Sequence, residues 1–173
     1  MRAAGRSRRA WGWHPLVDEW AGRIVADAGV RPGQLVVDVG AGHGAITAHL
    51  VAAGATVVAV ELHPGRVDRL RARFAGHDVT VVGVDVADFR WPRRPFRVVA
   101  SPPYGHSAEL LRALLAPGSR LVAADLVLQR AVVRRYAAGT PGRWDVRQGR
   151  SLPRKAFRPP PQVDSGVLVI RRR

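Results

Sequence analysis

Short apolar runs alternate along this chain with segments whose apolar residues recur every three to four positions. Leu16, Trp20, Ile24 and Val25 share one face of a helix that Pro15 can open and that runs to about Ala28. Gly29 and the Pro32-Gly33 pair punctuate its end. Leu35–Val39 is apolar on both faces but for Asp38 and is bounded by glycine, which predicts a buried parallel strand. The same reading predicts a helix over 44–53, a strand over Thr56–Val60, a helix over 66–74 and a strand over 79–84. Further on it predicts a strand over Phe96–Ala100, a helix over 107–115, a strand over 121–128, a short helix over 130–137, and closing strands over 144–147 and 167–170. Strands alternating with helices in this way predict a doubly wound α/β sheet, whose ligands sit at the carboxyl ends of its strands.

Composition narrows the class. The 173 residues suffice for one domain, with 47% hydrophobic and 24% charged residues, a globular balance. Residues 1–10 are basic and form an expected mobile arm, leaving 11–173 as the folded domain. The 28 Lys+Arg outnumber 13 Asp+Glu, giving a net charge of +15, and Lys155 is the only lysine. A GC-rich genome inflates arginine but not the shortage of acids, so the balance predicts a polyanionic partner, whose phosphates the guanidinium grips through a bidentate fork and whose bases it stacks on. Without cysteine there is neither a disulfide framework nor a thiolate metal site. The histidines lack ligand spacing, which predicts surface or loop positions for His43, His49, His63, His77 and His106. The basic start has no apolar h-region, and no apolar run reaches membrane-spanning length, so a cytoplasmic protein without a membrane partner is expected.

The first strand runs into Asp38-Val39-Gly40-Ala41-Gly42-His43-Gly44. Glycines at these positions let the backbone turn sharply and approach a ligand closely. The next strand ends in Val60-Glu61, where a carboxylate can accept both hydroxyls of a ribose. The spacing is G-x-G-x-G, tighter than the G-x-G-x-x-G of dinucleotide sites, and suits S-adenosylmethionine, which has no pyrophosphate to cradle. Asp85, at the end of the third strand, can meet the adenine amine of that cofactor, or can simply cap a turn.

The fourth strand ends in Ser101-Pro102-Pro103-Tyr104. Proline fixes φ and leaves neighbouring carbonyls without strand partners. The Ser101 oxygen and the Pro102 carbonyl can accept hydrogen bonds from an exocyclic NH2, and Tyr104 can stack on the base that carries it.

Together these motifs resemble the erythromycin-resistance methylase (Erm) family and its relatives, the small-subunit rRNA adenine dimethylases. The stretch Phe157-Arg158-Pro159-Pro160-Pro161-Gln162-Val163-Asp164-Ser165 fits the F-x-P-x-P-x-V-x-S pattern of that group at each fixed position. The resemblance implies a single-domain, Rossmann-like class I methyltransferase sheet acting as a monomer. It implies methyl transfer from S-adenosylmethionine to N6 of an adenine in 23S rRNA, with resistance to macrolides, lincosamides and streptogramin B as the consequence. It also implies that Phe157 faces Tyr104 across the target base. The cofactor positions carried over are His14, Leu16, Gly40, Ala41, Gly42, Glu61, Leu62, Asp85, Val86 and Ser101.

Three departures accompany the resemblance. Ser101 stands where the family usually has Asn, Trp13-His14-Pro15-Leu16 replaces Gln-Asn-Phe-Leu, and the chain stops at Arg173, where typical members continue into a helical RNA-binding domain. A short form whose arginines grip RNA is the expectation. The alternatives are a 16S dimethylase, an amino-methyltransferase acting on cytosine N4, and an RNA-binding protein of the same fold without catalysis. The reaction expected is an in-line transfer driven by positioning and desolvation, with no dedicated base.

Overall fold

The computed structural model describes residues 14–140 and 142–173; the expected arm over 1–10 lies outside the described residues, as does Trp13. The chain order is α1 (Asp18–Ala28), β1 (Leu35–Val39), α2 (Ala45–Ala52), β2 (Thr56–Val60), α3 (Pro64–Arg73), β3 (Val79–Val82) and β4 (Phe96–Ala100). It continues with α4 (Ser107–Leu114), β5 (Leu121–Gln129), α5 (Arg130–Ala138), β6 (Trp144–Leu152) and β7 (Ser165–Arg172).

The strands form one seven-stranded sheet in the order β3-β2-β1-β4-β5-β7-β6. Every pairing is parallel except those of β7, which runs antiparallel to both β5 and β6. Neighbouring strand residues send their side chains to opposite faces. Val37, Val39 and Val98 therefore pack with α4 and Val133 of α5, whereas Val36, Val99 and Val127 pack with α1 and α2. This is the expected doubly wound layering. The strand order reverses between β1 and β4, so a crevice opens at their carboxyl ends. Among the described residues, no helix is long and apolar enough to cross a membrane.

Two expectations change. Pro15 does not open α1: residues 14–17 are spent on the far end of the chain. Val17 N–H donates to Ala156 O (2.8 Å), Arg158 N–H donates to Pro15 O (3.0 Å), and Leu16 bridges Phe157. A backbone committed to that short antiparallel contact cannot begin a helix. The closing strands are also much longer than expected, because β6 and β7 pair as an antiparallel ladder from Trp144↔Arg172 to Leu152↔Ser165. The polar residues of β6 are exposed, so hydrophobicity alone underestimates its length.

Candidate functional site

Val39 hands the chain from β1 to Gly40, Gly42 and Gly44, with φ of 70°, 59° and 90°. Such angles favour residues without a Cβ. Both Gly40 N–H and Ala41 N–H donate to Val60 O, at 2.8 and 3.0 Å, which ties the turn to the end of β2. A Cβ on Gly40 would lie 2.8 Å from Pro103 Cδ. The glycine turn therefore presses on the Ser-Pro-Pro-Tyr loop, and the two motifs share one site because the first has no side chain there.

A cavity of about 110 Å³ lies at this junction. His14, Leu16, Gly40, Ala41, Gly42 and Ser101, all expected cofactor positions, contribute to its wall. Asp38 and His43 line it too. Glu61 is buried and tied to the turn without lining the cavity: its carboxylate accepts from Gly42 N–H (3.0 Å) and His63 N–H (2.9 Å), with Arg66 at 3.7 Å. An ionised carboxylate has about four lone-pair sites, so two amide contacts orient Glu61 and leave acceptors for hydroxyl groups. Leu62, Asp85 and Val86 do not line that cavity. Leu62 is 41% exposed beside Glu61. Asp85 Oδ1 accepts from Ala87 N–H (3.0 Å) and caps a short 3-10 turn that starts at Val86.

Asp38 is the member that sequence reading left without a role. Its carboxyl is buried, and burial pushes it up to about 7 against the hydrogen bond from Thr47, with the negative Glu61 pushing further in the same direction. Thr47 Oγ1–H donates to Asp38 Oδ2 at 2.7 Å. A lone acid inside an apolar strand, immediately before a glycine turn, was the available signal. His43, expected as a plain loop residue, stands at the cavity, and burial with Arg66 and Arg69 pushes its ring below the usual histidine range.

Pro102 is buried and Tyr104 half-buried. Tyr104 OH shares a hydrogen bond of 2.6 Å with Ser165 Oγ at the start of β7, and burial pushes the phenol up. The two motifs are thus joined through tyrosine and serine, not through tyrosine and phenylalanine. Phe157 departs from the expected arrangement: its ring is 1% exposed and packs in the core with Leu16, Ile24 and Val127. The backbone contacts of 156–158 with 15–17 draw that ring inward. The ring facing Tyr104 is His14, at 6.0 Å and 28°. His14 Nδ1 lies 3.0 Å from Pro159 O; a carbonyl can only accept, so Nδ1 carries the proton. No group of acids and histidines that could hold a metal occurs among the described residues.

The donor set fits a cofactor carrying a ribose, an ammonium group and a compact charged centre: a pinned carboxylate, a second buried acid, and a turn stripped of side chains. Comparisons with known proteins agree in kind. Residues 6–173 match the family model described as ribosomal RNA adenine dimethylase. An rRNA methyltransferase of Streptomyces thermotolerans is 37% identical over 98% of this chain and 60% of its own length. The mycinamicin-resistance protein MyrB of Micromonospora griseorubida is 38% identical over 80% of this chain and 47% of its own. A ribosomal RNA small subunit methyltransferase A of Geobacter sulfurreducens is 33% identical over 98% and 70%. The chain thus spans between about half and about two thirds of the lengths of these relatives. The crystal structure of the 23S rRNA methyltransferase ErmE superposes with a TM-score of 0.81 at 29% identity, covering 91% of this chain and 69% of that one.

Proposed function

The chain belongs to the ribosomal RNA adenine dimethylase family, and from that premise we propose that it transfers methyl from S-adenosylmethionine to N6 of an adenine in 23S rRNA. One observation carries the reading: the glycine turn, the buried Asp38 and Ser101 line one cavity at the carboxyl ends of β1 and β4, and Gly42 of that turn donates to Glu61. The target in 23S rRNA is favoured by MyrB, named for mycinamicin resistance, and by ErmE, named as a 23S rRNA methyltransferase. Macrolide resistance is the corresponding phenotype.

When bound, the cofactor supplies an electrophilic sulfonium methyl. Glu61 would hold the ribose hydroxyls, and Asp38 would offer its carboxyl to the ammonium group. Asp85 and Leu62, which lie outside the cavity wall, would flank the adenine. On the substrate side, Ser101 Oγ and the Pro102 carbonyl accept from the target NH2, holding its lone pair toward the methyl. Tyr104 carries the base on its face and keeps its own hydroxyl on Ser165. Positioning and exclusion of water then supply most of the acceleration. The protein acts on RNA as a monomer.

A second reading, methylation of 16S rRNA, is favoured by the small subunit methyltransferase A relative, of which the chain spans 70%. Protein incubated with radiolabelled S-adenosylmethionine and protein-free 23S or 16S rRNA separates the two. Label in 23S rRNA with a primer-extension stop at one adenine is the expected result. Label confined to 16S rRNA overturns the first reading, and label in neither overturns both.

A further inference from the structure

The loop over 89–95 reads Phe-Arg-Trp-Pro-Arg-Arg-Pro, aromatic residues interleaved with arginines and no acid. It leads into β4, so it lies at the amino ends of the parallel strands, away from the glycine turn. Phe89 meets Trp91 edge to face at 4.9 Å, and Trp91 stacks on Phe96 at 5.6 Å and 21°. The row anchors the indole, and Trp91 is half-buried at a cleft of about 420 Å³. Ala113, Ala116 and Gly118 line the cleft and leave it open, and the exposed Arg93 and Arg120 stand at its rim.

Among the described residues, neither arginine forms an ion pair, whereas Arg23, Arg66, Arg130, Arg150 and Arg171 all do. No acid lines the cleft. Its far wall is braced: Arg143 donates to Ala116 O (3.0 Å) and Pro117 O (2.7 Å), and Arg172 donates to Ser119 O and Leu121 O, both at 2.8 Å. A preformed cleft lined by one indole, with two guanidinium groups free of ion pairs among the described residues, suits an unpaired base with a phosphate on either side. A mononucleotide offers one phosphate to two arginines; a strand offers both.

We propose that this cleft is a second RNA site, holding a single-stranded segment of the RNA with one base on Trp91 and flanking phosphates on Arg93 and Arg120. The inference rests on the RNA substrate proposed above for its partner, but not on any methyl transfer. The protein is titrated into a fluorescently labelled, unstructured 12-nucleotide RNA, and anisotropy is read across a salt series. Each phosphate contact contributes about 0.7 to the slope of log affinity against log salt for a single strand. The R93S/R120S double variant, altered only at exposed side chains, is expected to lower that slope by about 1.4. Trp91→Leu is expected to weaken binding at every salt concentration with the slope kept; should that variant not fold, the arginine pair alone decides. An oligonucleotide carrying 4-thiouridine is expected to crosslink to the peptide containing Trp91. An unchanged slope, no binding of the oligonucleotide, or displacement of it by equimolar adenosine monophosphate overturns the inference. A protein that shows the slope change yet methylates no rRNA keeps this site and loses the function proposed above.

Discussion

At the scale of single residues, the site depends on atoms that are missing as much as on those present. Gly40 combines a φ of 70° with a neighbour 2.8 Å from where its Cβ would be. Gly40→Ala must therefore strain the backbone by about 1–2 kcal/mol and push the Pro103 ring away. The expected outcome is a folded protein whose affinity for S-adenosylhomocysteine, read by calorimetry, falls at least about tenfold, equivalent to about 1.4 kcal/mol. Asp38 makes a different prediction. Its carboxyl rises from 3.8 to about 7, chiefly through burial. Between those values the folded protein keeps a proton that the unfolded chain has released, so this group makes stability fall as pH rises through that window. Asp38→Asn, which still accepts from Thr47, is expected to remove the fall, by an amount on the order of a few kcal/mol. Urea midpoints at about pH 4 and about pH 8 measure it, and a variant as pH-sensitive as the parent contradicts it.

At the scale of elements, two chain segments distant in sequence decide how the pocket is walled. The 15–17 and 156–158 contacts bury Phe157 against Leu16. Phe157→Ala is expected to cost about 3–5 kcal/mol of stability, as for a core aromatic. Loss of methylation with stability unchanged would instead make this ring a wall of the base pocket. β7 sets Ser165 opposite Gln129 of β5, which brings its hydroxyl to Tyr104. Tyr104→Phe leaves the buried Ser165 hydroxyl without that partner and is expected to lower stability by about 1–3 kcal/mol while keeping a ring for stacking. Chemical denaturation and the rate of methyl incorporation separate those two consequences.

At the scale of the whole molecule, a buried charge cluster locks the layers together. Arg97 on β4 donates to Ala28 O and Gly29 O at the end of α1 and to Gln34 Oε1. Its guanidinium lies 3.9 Å from Asp125 of β5, which accepts two hydrogen bonds from Arg171 of β7 at 2.9 and 3.1 Å. Burial and the neighbouring Arg171 both push Arg97 downward. Removing the single acid leaves two arginines facing each other, so Asp125→Ala is expected to cost about 3–5 kcal/mol in thermal or urea unfolding. A loss below about 1 kcal/mol would show that water enters and screens the cluster.

Much of this protein was legible in its residues. β1, β2 and β4 have the bounds that their apolar runs predict, because a parallel strand buried on both faces is written in consecutive positions. The glycine turn, Glu61 and the Ser-Pro-Pro-Tyr loop were legible for a similar reason: local backbone geometry selects the residue types. What only the tertiary structure decided is everything set by contacts between distant segments. Residues 14–17 turned away from a helix because their hydrogen bonds went to 156–158, Phe157 went inward with them, and Ser165 became the partner of Tyr104. The cleft beside Trp91 is of the same kind, since two separate loops supply its indole and its floor. Local sequence specifies φ and burial tendency; which distant groups satisfy a given donor or cover a given ring is settled only when the layers pack.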